Sequence, residues 1–437
     1  MQRRLFVRSG AVALVTLGLS PRFLRRTAFA AELVRAARGK TLICLFQRGA
    51  ADALNVVVPH GEGVYYQLRP TIAVPRPSSR ADGAAIDLDG FFGLHPALAP
   101  LEPLWKRGML AAVHAVGSPD STRSHFDAQD YMETATPGVK GTRDGWINRY
   151  LSNTAPRNLP GMREPAPQDS SSASALPESA ASTAFRAVAL GARTPRIFDG
   201  PAPTVAMNAI EEFSIRAADG AAIDRLEALY RTGSADLIHA SGSEMFEAMR
   251  MLRAADPRQY APASGASYPR SQFGQRLLQI AQLIKADIGL EVAFADVGGW
   301  DTHVNQGGAS GQLANRLSDF ARSIAALVTD LGDRMDDVVI LTMSEFGRMA
   351  RENGNRGTDH GHAGALFVLG GRVNGGKVYG RWPGLEREQL FEGRDLALTT
   401  DFRAVFAEIA SRHLGSARLD AIFPGFTVGE PEWLGVL

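Results

Sequence analysis

An alternation constrains this chain more than any other feature. Six short apolar runs, TLICLF (41–46), MLAAVHAV (109–116), FRAVAL (185–190), LEVAFADV (290–297), DVVILTM (337–343) and ALFVLGG (365–371), stand apart from one another, punctuated by glycine. Runs this short and this apolar read as strands buried on both faces. Between them lie helix-period stretches at 95–108, 273–288, 312–333 and 400–415. In the third, Leu313, Leu317, Phe320, Ile324, Leu327, Val328 and Leu331 recur mostly at spacings of three and four and give the helix one apolar face. Strands alternating with helices in this way predict an α/β fold, a mostly parallel sheet with helices on both faces.

With 437 residues, 45% of them apolar, the chain has enough material for one large α/β domain, which we place at 40–437. Two segments stand outside that pattern. Residues 165–183, PAPQDSSSASALPESAAST, are small and polar and read as a surface loop. Residues from about 205 to 260 read as a helical insertion beside the sheet.

The formal charge is +1, but six arginines (Arg3, Arg4, Arg8, Arg22, Arg25 and Arg26) fall in residues 1–30, where no acid occurs. The remainder is mildly acidic, which argues against nucleic acid as a partner. Paired arginines, a modest apolar run and Ala28-Phe29-Ala30 read as a twin-arginine-type export signal over 1–30. The expectations are passage through the export machinery, a periplasmic or secreted location, and no stable membrane span in the mature chain. The single cysteine, Cys44, excludes an intrachain disulfide and reads as a buried thiol.

In an open α/β sheet, functional groups collect on the loops beyond the carboxyl ends of the strands. The unusual residues fall there. Asp52 follows the first run. The stretch GSPDSTRSHFDAQD, with Thr122, Arg123, Ser124 and His125, follows the second. Asp301 and His303 follow LEVAFADV, and Glu345 and Arg348 follow DVVILTM. The loop NGNRGTDHGHAG then holds Asp359, His360 and His362, although the chain has only nine histidines.

Imidazoles and carboxylates without thiolates suit a hard-to-borderline divalent ion, with Zn, Mn, Ca and Mg left open. The pairs Asp301/His303 and His360/His362 are spaced i,i+2, so in extended chain their side chains point the same way. The surplus of ligand types allows one ion or two. His60, His95, His114, His239 and His413 have no polar cluster around them in sequence and read as structural.

The blocks FQRGAADALNVVVPH, HAVGSPDSTRSHFDAQDYME, DVGGWDTHVNQG and MSEFGRMARENGNRGTDHGHAG resemble the family called domain of unknown function 1501, exported proteins similar to sulfatases and the alkaline phosphatase superfamily. The resemblance runs from about Lys40 to Pro383. It implies an alkaline-phosphatase-like fold with Asp52, Asp301, His303, Glu345, Asp359, His360 and His362 holding metal. It also implies a nucleophile at a helix start, where Thr122 and Ser124 stand, with Arg123, His125 and Arg348 meeting the substrate. The cysteine of a formylglycine mechanism is missing from GSPDSTRSHFD.

The function implied is metal-dependent hydrolysis of a phosphate or sulfate ester, small-molecule or glycan, by a Ser/Thr hydroxyl or a metal-bound hydroxide. The alternative is a non-catalytic metal-binding envelope protein that binds a glycan or a secreted partner. An oxidoreductase is disfavoured, because no GxGxxG follows the first strand and no cysteine motif is present.

Overall fold

The structure is a computed structural model that describes residues 39–77, 83–155, 185–210, 260–427 and 433–437. The expected export signal, the polar loop at 165–183 and residues 211–259 of the expected helical insertion lie outside the described residues. The strands are β1 Thr41–Gln47, β2 Val57–Val58, β3 Ile86–Asp87, β4 Gly93–Leu94, β5 Leu110–Gly117, β6 Ala187–Leu190, β7 Val205–Met207, β8 Val292–Val297, β9 Val338–Met343, β10 Gly364–Gly370, β11 Lys377–Tyr379 and β12 Thr400–Asp401. The helices are α1 Ala53–Val56, α2 Gly63–Leu68, α3 Glu102–Lys106, α4 His125–Thr134, α5 Trp146–Ser152, α6 Gln272–Lys285, α7 Gln312–Leu331, α8 Phe402–Glu408 and α9 Leu419–Ile422.

All six apolar runs become strands of one nine-stranded sheet in the order β11-β5-β10-β9-β1-β8-β6-β7, with β12 also paired to β5. β1 lies parallel between β8 and β9, and β6 and β7 continue in the same direction. β10 alone is reversed, antiparallel to both β9 and β5. Residues 205–207, placed by sequence at the start of a helical insertion, are instead edge strand β7. Val205 and Met207 align there with Val188 and Leu190 of β6. A second, three-stranded sheet is formed by β2, β4 and β3.

The core follows from the period-two alternation of β1. Ile43 and Leu45 face one layer, where α6, α7 and the 96–106 segment bury Leu277, Leu317, Phe320 and Leu101. Leu42, Cys44 and Phe46 face the other, against Trp146 and Ile147 of α5 and Phe402 and Phe406 of α8. Cys44 is fully buried, and burial raises its thiol pKa well above the ordinary range. Among the described residues, no helix is long and apolar enough to cross a membrane.

Candidate metal centre

Four loops leave the carboxyl ends of β1, β5, β8 and β9 at one edge of the sheet, as the parallel arrangement requires. The loop 353–363 reaches the same edge for a different reason. It precedes β10, and only the reversal of β10 puts the start of that strand beside the ends of the others. The loop is zipped onto the segment after β9: Gly361 N donates to Gly347 O, Met349 N to Asp359 O and Gly347 N to His362 O, at 2.8–2.9 Å. A Cβ at Gly347 would stand 1.8 Å from the Ala363 oxygen, and one at Gly361 2.3 Å from the Arg348 carbonyl carbon, so this close approach requires glycine at both positions.

Three rings and one carboxylate meet at the rim. His360 Nε2 lies 3.0 Å from His125 Nε2 and 3.0 Å from His303 Nε2. Asp301 Oδ1 lies 2.9 Å from His303 Nε2 and 3.4 Å from His360 Nε2, and Asp301 Oδ2 is 3.5 Å from His125 Nε2. Among the described residues, one group of three can hold a metal ion: the donor atoms of His125, Asp301 and His360 all lie within 4.8 Å of one another. His303 joins from the side of His360 and Asp301.

What each ring does with its other nitrogen decides the chemistry. His125 Nδ1 is 2.8 Å from Glu345 Oε1, His303 Nδ1 is 3.0 Å from Asp359 Oδ1, and His360 Nδ1 is 2.9 Å from the Arg123 carbonyl. A carbonyl oxygen and ionised carboxylates only accept, so each Nδ1 carries the proton and each Nε2 of a neutral ring presents a bare lone pair. Bare nitrogens 3.0 Å apart repel unless a cation sits among them. Three Nδ1-anchored imidazoles converging with one carboxylate therefore fit a divalent ion, and carboxylates behind the rings set tautomer and raise ligand basicity.

The hydrogen bond to Glu345 raises the His125 pKa, so a divalent ion at this ring competes with a proton, whereas burial lowers the His360 pKa and favours its neutral, ligating form. Burial pushes the Glu345 carboxyl up, but hydrogen bonds from His125, Gln129 and Gly49 outweigh it and hold the group below the ordinary carboxylate value. Asp301 is opposed by burial and held down by Arg348, whose guanidinium reaches Oδ1 at 2.5 Å. Asp359 is lowered by Asn353 and His303.

Several residues expected as ligands or substrate contacts stand elsewhere. Asp52 is fully buried in a two-point ion pair with Arg69 (2.6 and 2.9 Å) and accepts from Gln306 at 2.6 Å. Glu345 and Asp359 stand behind histidines rather than among the grouped donors. His362 is stacked on Phe391 with ring centroids 4.4 Å apart, so the i,i+2 argument that joined it to His360 does not describe this bent loop. Arg348 is buried and spent on Asp301 and on the carbonyls of Gly49, Ala50, Trp300 and Thr358. Arg123 pairs with Asp395 and Glu392. The Ser124 hydroxyl caps α4 by accepting from Asp127 N, and the Thr122 hydroxyl accepts from Ser124 N.

His125 is the reverse case. The sequence argument made it a substrate contact, and the fold brings it into the donor group. Gln129, which sequence reasoning passed over, donates to Glu345 at 2.8 Å, and Phe346 packs against both His125 and His360. The spacing of Gln129, one helical turn after His125, was the available signal. The described histidines read as structural make hydrogen bonds away from this centre: His60 to Asp87, His95 to the Gly308 carbonyl, His114 to the Val57 carbonyl and His413 to the Thr41 carbonyl. His239 lies outside the described residues.

No curated protein matches the chain. Among solved structures, the lipoteichoic acid synthase LtaP from Listeria monocytogenes is similar at 9% identity with a TM-score of 0.32, covering 79% of this chain and 68% of that one. That score is too low to carry an argument about fold or activity. A protein family does match, over residues 39–422, and its description is "Protein of unknown function (DUF1501)". The chain spans most of its own length in that match and belongs to the DUF1501 family.

Proposed function

We propose that this protein is an exported metal-dependent hydrolase of a phosphate or sulfate ester, acting in the periplasm or outside the cell on a scaffold related to the alkaline phosphatases and sulfatases. One observation carries the reading: three imidazoles, each with Nδ1 committed to an acceptor, turn their Nε2 atoms toward one another and Asp301 at a solvent-reached rim. The donors gather in one place, so the reading takes one ion, held by His125, Asp301 and His360 with His303 beside them. A divalent ion there supplies Lewis-acid polarisation of an ester oxygen and acidifies water.

The protein's own groups do the rest. Glu345, Asp359 and the Arg123 carbonyl keep the protons on Nδ1 and fix the ring planes. Arg348 holds Asp301 ionised. Because the Thr122 and Ser124 hydroxyls are engaged with backbone amides, water is favoured over either side chain as the nucleophile. That engagement also favours the second reading, a binding protein that keeps metal without turnover.

Metal analysis of the purified chain, followed by a panel of aryl phosphate and sulfate esters, tests the proposal. Roughly one ion per chain and hydrolysis that disappears with His360→Ala are expected. A stoichiometric ion with no turnover across the panel leaves the binding reading, and a metal-free chain that cannot be loaded sinks both.

A further inference from the structure

The two carboxylates behind the histidines each take a further donor, but they are not equally well held. Glu345 Oε1 accepts from His125 Nδ1, Gln129 Nε2 and Gly49 N, each at 2.8 Å, and its side chain is 0% exposed. Asp359 Oδ1 accepts from His303 Nδ1 and Asn353 Nδ2, each at 3.0 Å, and its side chain is 50% exposed. Packing on every side fixes Glu345. Asp359 stands half in water, so the hydrogen bond from Asn353 fixes where its carboxylate lies.

Asn353 is itself pinned. Its Oδ1 accepts from Asn355 N at 2.9 Å and Gly357 N at 3.1 Å, closing a turn on the side chain. Backbone N–H groups only donate, so the amide oxygen must face the turn and the NH2 group must face away from it. That NH2 group donates to Asp359 Oδ1 and, at 3.0 Å, to the His303 carbonyl. One amide therefore grips His303 twice, directly at the backbone and through Asp359 at the ring. The two loops are also joined without this side chain: Asn305 N donates to Asn355 O and Gln306 N to Arg356 O at 2.9 Å, and Thr358 N to Thr302 O at 3.1 Å.

We infer that Asn353 is a positioning residue of the metal centre, steering His303 so that its Nε2, 2.9 Å from Asp301 Oδ1 and 3.0 Å from His360 Nε2, serves as a fourth donor. This rests on the metal centre of the proposed function. Aspartate has the shape of asparagine but no NH2 group. Asn353→Asp keeps an oxygen for the turn and sets its other oxygen against the Asp359 carboxylate and the His303 carbonyl. His303 then loses its place while the backbone pairing of the loops remains.

Zinc affinity of the full chain, measured by competition with a chromophoric chelator, tests this. Asn353→Asp should weaken zinc by about tenfold, the low end of what losing such support costs. Asn353→Ser, whose hydroxyl can still accept within the turn but is too short to reach Asp359, should weaken it similarly and serves if the aspartate variant does not fold. In a His303→Ala background, which keeps three donors, either change should alter zinc affinity by less than about twofold, because a residue that acts through His303 has nothing left to steer. Nitrogen-15 spectra of the zinc-free chain give a second readout: the parent's His303 should carry its proton on Nδ1 and lose that preference in Asn353→Asp, while His125 keeps its own. Parental zinc affinity in both variants, an unaltered His303 spectrum, or a loss undiminished in the His303→Ala background overturns the positioning role and leaves the metal centre standing. A parent chain that binds no zinc overturns the centre and this role with it.

Discussion

Asp52 and Glu345 are both fully buried carboxylates at strand ends, and what faces each one separates their roles. Asp52 meets the Arg69 guanidinium at two points, while Glu345 accepts from His125, Gln129 and Gly49. Asp52→Asn should leave Arg69 as an uncompensated buried charge and cost about 3–5 kcal/mol in denaturant unfolding, while zinc affinity stays within about twofold. Glu345→Gln should do the opposite, weakening zinc by about 10–100-fold because the ring of His125 loses its anionic anchor. If Asp52→Asn strips the metal from a folded chain, Asp52 is a ligand after all. His114 offers a test by pH. Burial lowers its pKa to about 4, with Nε2 donating to the Val57 carbonyl and Nδ1 accepting from Ala115 N. The unfolded state titrates near 6.5, so between about pH 6.5 and 4 it binds more protons than the folded state. Stability should therefore fall as the pH drops through that window and level off below it. His114→Gln should flatten this slope in urea midpoints measured across the range, and an unchanged slope would assign it to other groups.

At the scale of elements, the strands were legible because burial on both faces leaves an uninterrupted apolar run, and α7 because its apolar stripe has a period. The direction of β10 was not legible, since a short apolar run reads the same either way. Yet that reversal delivers the loop 353–363 to the rim. The ligand-rich loops were equally visible in sequence, but side-chain direction within them depends on distant partners. His362 goes to Phe391, 29 residues on, and Glu345 and Asp359 go behind rings that belong to other loops. Gly361 of the DHGHAG stretch packs so closely on the Arg348 backbone that a Cβ there would lie 2.3 Å from the Arg348 carbonyl carbon. Gly361→Ala should therefore push the loop off the segment after β9 and carry His360 away from His125. Zinc affinity should drop by more than about tenfold, although Gly→Ala elsewhere in a loop commonly stabilises by about 0.4–1 kcal/mol. A variant with parental zinc affinity would show that the loop can shift without moving its ring.

For the molecule as a whole, the centre joins loops from distant parts of the chain, with His125 and His360 meeting across 235 positions. The two core layers, by contrast, lie on the faces of the sheet, away from this edge, and bury Phe320, Trp146 and Phe406 without help from the rim. Folding should consequently survive loss of the ion, and the ion should add stability by mass action, because the unfolded chain holds the donors far apart. Free zinc at one hundred times its dissociation constant should stabilise the native state by about 2.7 kcal/mol. The chelated chain should still unfold in one cooperative step at a lower midpoint. His360→Ala should unfold near that same midpoint whether or not zinc is added, while His362→Ala, whose ring lies on Phe391, should keep the zinc-dependent rise. A chelated chain without a cooperative transition would mean that the centre holds the fold together rather than being carried by it. A zinc-dependent rise that persists in His360→Ala and vanishes in His362→Ala would move the ion to the other histidine of the loop.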